Sequence, residues 1–74
     1  MTLIFNSFDQ KVHYAIICKN TDNFSQIEQI LYEKFPEYKE TENYFLYGSR
    51  KINRYKTIEE NGLEYSAFIL FNKN

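Results

Sequence analysis

Seventy-four residues make one domain and no more, and nine basic against ten acidic residues leave no basic stripe for a nucleic acid. No apolar run approaches the ~20 residues of a membrane span, and the N-terminus lacks the basic-then-apolar pattern of a signal peptide. A single cysteine excludes an internal disulfide and a thiol metal clip, so packing alone must hold the chain, as suits a reducing cytoplasm or nucleus.

Seven Phe and seven Tyr supply the bulk for a small core, each aromatic burying on the order of 150–250 Å². Thr2 to Phe8 is β-prone, with Leu3 and Phe5 on one face by period-two alternation. Asp9-Gln10-Lys11 reads as a hairpin turn, although it lacks the Asn-Gly or Asp-Gly signal. The next strand, Val12 to Lys19, sets Val12, Tyr14, Ile16 and Cys18 on one face and His13, Ala15, Ile17 and Lys19 on the other. The polar cluster Asn20 to Asn23 then opens a helix. Asn23 with Gln26 resembles a capping box, and Phe24, Ile27, Ile30, Leu31 and Phe35 form an apolar stripe at helical spacing. Pro36 ends the helix, and residues 37 to 43 read as a solvated loop.

Tyr44 to Tyr47 is strand-like, Gly48-Ser49 turns the chain, and Lys51-Ile52 pairs back. Thr57-Ile58-Glu59-Glu60 is a second capping box that starts a single helical turn. Asn61-Gly62 gives it a left-handed stop. Tyr65 to Phe71 is the last strand. The order β-β-α-β-β-(short helix)-β predicts an α+β fold, a mixed five-stranded sheet packed on one helix as a single domain over residues 1–74.

Little of this chain reads as chemistry. Cys18 and His13 are the only thiol and the only imidazole, and alternation points them to opposite faces of one strand. Cys18 reads as a small core residue and His13 as a surface strand residue. No residues have metal-ligand spacing, so no catalytic residue, metal or cofactor is expected. Glu59-Glu60 and Glu40-Glu42 are explained by a helix first turn and a solvated loop.

The helix stripe must face Leu3, Phe5, Tyr14, Ile16, Cys18, Phe45, Ile69 and Phe71. Period two then leaves Leu46, Phe68 and Leu70 on the opposite, open face, with Phe8 beside them in the first turn. These four form the expected partner-binding patch, with Tyr44, Gly48, Arg50 and Asn72 at its rim.

With Gly48 at the turn, Ile52 in the short strand and Thr57-Ile58-Glu59-Glu60-Asn61-Gly62-Leu63 before the last strand, the chain resembles the ubiquitin-like domain family. The resemblance runs from roughly Leu3 to Phe71, with an extra residue near the first turn and a longer loop after the helix. It implies the β-grasp fold and docking through this same sheet face. Phe8 falls at the family's turn leucine, Leu46 at its central isoleucine and Leu70 beside the patch, while the patch valine falls on Asn72, a departure. Arg50 and Tyr65 replace the two lysines most used for chain building, and Lys11 is retained. The chain stops at Asn72-Lys73-Asn74, without the terminal Gly-Gly of a modifier, which would fall just beyond.

The function this implies is a non-catalytic, monomeric, intracellular interaction domain that binds ubiquitin-binding or proteasome-pathway proteins, and neither nucleic acid nor membrane. Two alternatives stay open. One is a modifier processed from a precursor, and the other is a regulatory domain that covers a catalytic neighbour in a larger protein.

Overall fold

A computed structural model describes residues 1–73. Asn74, the last residue of the expected domain and of the chain's expected tail-less end, lies outside the described residues. The elements are β1 (Thr2–Ser7), β2 (His13–Ile17), α1 (Phe24–Lys34), a 3₁₀ turn (Pro36–Tyr38), β3 (Asn43–Tyr47), β4 (Arg50–Lys51) and β5 (Ser66–Lys73). They build one mixed sheet in the order β2-β1-β5-β3-β4. β1 runs antiparallel to β2 and parallel to β5, and β5 runs antiparallel to β3. One helix across one face of such a sheet is the α+β, β-grasp-like arrangement the element order predicts.

The first turn closes without an Asn-Gly pair because side chains replace it. The Ser7 hydroxyl donates to Asp9 at 2.6 Å, the same Asp9 oxygen accepts the Lys11 N–H, and Ser7 Oγ accepts the Val12 N–H. Gln10 takes the left-handed conformation at φ 62°. β1 then buries Leu3 and Phe5 completely, and the β2 side supplies Val12, Ile16 and Cys18 to the same core.

Asn23 caps α1, its N–H donating to Gln26 Oε1 at 2.9 Å. Phe24, Ile27 and Leu31 of the expected stripe are buried, and Phe35 packs edge-on against Tyr14. Ile30 is a correction: it is 42% exposed. The stripe turns the other way round the helix and buries Glu28 and Tyr32 instead. Pro36 ends α1 but begins the 3₁₀ turn, as its fixed φ allows at a first helical position. That turn carries Tyr38 onto Phe71, ring centres 4.9 Å apart. Residues 37 to 43 are therefore not a wholly solvated loop, since Tyr38 and Asn43 are both buried.

The β3–β4 turn has Gly48 at φ 63°. β4 is Arg50–Lys51, one residue earlier than expected, yet the Ile52 N–H still donates to the Phe45 carbonyl at 2.8 Å. The Thr57 capping box forms in full, Thr57 N–H to Glu60 Oε1 and Glu60 N–H to Thr57 Oγ1, both at 3.0 Å. Gly62 at φ 70° closes it, with Gly62 N–H donating to the Glu59 carbonyl and Leu63 N–H to the Ile58 carbonyl. Residues 57 to 62 are thus one capped turn and not a helical element, and the short helix of this fold is the 3₁₀ turn after α1. The turn drives Ile58 and Leu63 into the core.

The loop from β4 to β5 also ties down the start of α1. The Phe24 and Ser25 N–H groups, free at any helix start, donate to the Lys56 and Arg54 carbonyls at 3.0 Å. At the centre Phe5, Phe24, Phe45 and Phe71, one each from β1, α1, β3 and β5, stack with neighbouring ring centres 5.1–6.1 Å apart. Such tilted and edge-on pairs add about 0.5–1.5 kcal/mol each beyond burial. They lock the helix to the inner face and leave the outer face uncovered.

Candidate functional site on the open face of the sheet

Strand register determines which side chains meet on the uncovered face. One row runs Ala15, Ile4, Phe68 across β2, β1 and β5. The next runs His13, Asn6, Leu70, Leu46, Lys51 across all five strands. A shorter row sets Thr2 between Ile17 and Ser66, and Asn72 pairs with Tyr44. Directly opposed side chains in adjacent strands stand about 4.5–5.5 Å apart at Cβ. Ile4, Phe68, Leu70 and Leu46 therefore form one continuous apolar belt.

Of the expected quartet, Leu46 and Leu70 are directly paired and half-buried by their neighbours. Phe68 is 65% exposed and Phe8 79%. Phe8 joins the belt at its end, sharing a shallow concavity with Leu70, Asn6 and His13. Ile4, Ala15 and Ile17 complete the face and were not among the expected patch residues. Alternation along β1 and β2 signals their direction. That they meet Phe68 depends on β1 lying between β2 and β5, which no local pattern encodes.

The rim differs from expectation at one position. Tyr44 and Asn72 pair at one end of the face, and Gly48 sits exposed in the β3–β4 turn. Arg50 does not belong to the rim. It pairs with Tyr47, lays its guanidinium 5.9 Å from the Tyr47 ring centre and reaches toward Gly62 on the helix side. Lys51 takes its place, opposite Leu46 with its ammonium 5.1 Å from the centre of the Tyr44 ring.

Full charge is nearly absent from the open face. No Asp or Glu lies in any of the five strands, and Lys51 is the one full charge among the outward-facing strand residues. The carboxylates sit on α1, the turns and the loops. His13 bonds to Asn6 Oδ1 on the open face. Cys18 is buried on the other side, where desolvation raises its thiol pKa above the ordinary value. The thiol and the imidazole therefore form no nucleophile–base pair. Among the described residues no group of three or more His, Cys, Asp or Glu is placed to hold a metal ion, and no helix is long and apolar enough to cross a membrane.

No protein-family model matches this chain, and no curated protein matches its sequence.

Proposed function

We propose that this chain is a non-catalytic interaction domain of the ubiquitin-like kind. It docks a protein partner of the ubiquitin-binding or proteasome-linked machinery through the open face of its sheet. The observation that carries this reading is the belt of Ile4, Phe68, Leu70 and Leu46, extended by Phe8, on a face that no other element covers. Contiguous apolar area costs free energy in water and is characteristic of partner surfaces. The carboxylate-free strands and Lys51 at the edge suit a partner with an aliphatic centre and an acidic margin. The family assignment rests on the same segment that suggested it, the Gly48 turn, Ile52 and the capped turn at Thr57. A buried, unpaired thiol is compatible with the reducing interior of a cell.

Titrating the isotope-labelled chain with a panel of ubiquitin-binding domains tests the reading. Amide shifts are expected at Ile4, Leu46, Phe68 and Leu70. Phe68→Ala and Leu70→Ala each weaken binding by about 2 kcal/mol, roughly thirtyfold, as central apolar residues do. Shifts on the helix side only, or unchanged affinity in both variants, would overturn it.

A further inference from the structure

Asn61 is the one asparagine of this chain that a glycine follows. Such a pair can modify itself. Where the backbone is free, the Gly62 nitrogen reaches the carboxamide carbon of Asn61, because glycine has no Cβ to crowd the approach and allows the widest range of conformations. A bond forms from that nitrogen to Asn61 Cγ, the bond from Cγ to Nδ2 breaks, and ammonia departs with the proton that the Gly62 nitrogen has lost. The cyclic imide then takes up water at either of its carbonyls. One product is aspartate in place of Asn61. The other is isoaspartate, in which the main chain runs through Cβ and is longer by a methylene.

The fold engages both reacting groups. The Gly62 N–H donates to the Glu59 carbonyl at 2.9 Å, with Gly62 set at φ 70°. The Asn61 carboxamide is held by the segment that follows β4. Its Oδ1 accepts the Asn53 N–H at 2.8 Å, and its Nδ2 donates to the Asn53 carbonyl at 2.9 Å and the Thr57 carbonyl at 3.0 Å. Asn61 is also only 7% exposed, which limits access by water and hydroxide. Attack on Cγ needs these bonds released together.

The same bonds make the products incompatible with the fold. In aspartate an anionic oxygen stands where Nδ2 was, facing the Asn53 and Thr57 carbonyls in a buried site. In isoaspartate the added methylene shifts Gly62 and Leu63 out of register with Glu59 and Ile58, whose carbonyls close the turn. The damage spreads from there. This turn seats Ile58 and Leu63 in the core, and the loop it closes gives the Lys56 and Arg54 carbonyls to the first N–H groups of α1.

We propose that Asn61-Gly62 is a latent self-modification site, held inert by the fold and released by unfolding, whose products bar the chain from returning to this structure. Unfolding that is reversible at first becomes permanent with time. The nucleophile belongs to the chain itself, and water is the sole co-reactant.

The test follows Asn61 by peptide mass spectrometry at mildly alkaline pH, in native buffer and in guanidinium, with aspartate and isoaspartate scored separately. A reaction that proceeds from an opened form tracks the population of that form, so the native chain converts about a hundredfold more slowly than the unfolded one, or slower still. Thr57→Ala removes the capping side chain without touching the reacting pair and raises the rate in native buffer at least about fivefold. Chains aged in guanidinium and returned to native buffer regain the native circular dichroism only in the fraction that still carries Asn61. Asn61→Asp, made directly, has an unfolded fraction about thirtyfold above the parent's, or does not fold. Equal conversion of native and unfolded chains, a native rate unmoved by Thr57→Ala, or full refolding of the converted chains would each overturn it. So would an Asn61 that stays intact in guanidinium, or an Asn61→Asp variant as stable as the parent.

Discussion

Asn72 occupies a strand position that an apolar side chain would serve better. Its Nδ2 is enclosed without an acceptor, and a buried donor left unpaired costs about 1–3 kcal/mol. It stands on the open face opposite Tyr44 and close to Phe8, so its amide trims an apolar surface that would otherwise run on to the end of β5. Asn72→Val removes the orphaned donor and installs a β-branched side chain that suits a pleated strand. The variant is expected to gain about 1 kcal/mol in urea unfolding with an unchanged denaturant slope. A loss of stability would mean that the amide is satisfied in solution. The resemblance placed the patch valine at this residue, so the same substitution also tests whether a wider patch strengthens partner binding.

At the scale of elements, what the sequence discloses depends on how far away the deciding partner lies. Both capping boxes were legible because each is a dialogue between residues three apart. The side of α1 that faces the core was legible only in part. Ile30 fits the helical period but is exposed, while Glu28 and Tyr32 are buried because distant groups satisfy them. The Tyr32 hydroxyl donates to Glu28 and accepts from Asn43 Nδ2 at 2.9 Å. Arg54 lies 3.3 Å from Glu28 and donates to the Asn43 carbonyl at 2.7 Å. Burial first, and the Glu28 carboxylate second, push the Tyr32 hydroxyl well above the ordinary tyrosine range, so it stays a donor. This network joins α1 to β3 and to the loop before β5, three segments no local pattern connects. Arg54→Met alone leaves the buried carboxylate without its cation and is expected to cost about 2–3 kcal/mol. Glu28→Gln in the same background recovers part of that loss. A double-mutant cycle by chemical unfolding measures the coupling, and strictly additive effects would show that the pair is not coupled.

For the molecule as a whole, alternation separated the two faces of the sheet correctly, since Leu3, Phe5, Ile16, Phe45, Ile69 and Phe71 are all buried beneath α1. Strand order was the missing information. With β1 between β2 and β5, Ile4 and Ile17 become part of the same open surface as Phe68, and the face is wider than its expected quartet. The consequence is a division of labour between two sets of aromatic residues. Phe5, Phe24, Phe45 and Phe71 form the mutual stack that holds the fold. Phe8 and Phe68 remain 79% and 65% exposed and bury too little area to stabilise it. Phe45→Ala opens the centre of the stack and is expected to lose about 3–5 kcal/mol, a large share of the roughly 5–15 kcal/mol available to any domain. That variant should be substantially unfolded at physiological temperature by circular dichroism. Phe8→Ser with Phe68→Ser should stay within about 0.5 kcal/mol of the parent in the same unfolding experiment, as surface changes usually do. A comparable loss in both would mean that the outer aromatics help hold the sheet. Stability kept in the serine pair, together with lost partner binding, would separate the face that folds this domain from the face that it offers to others.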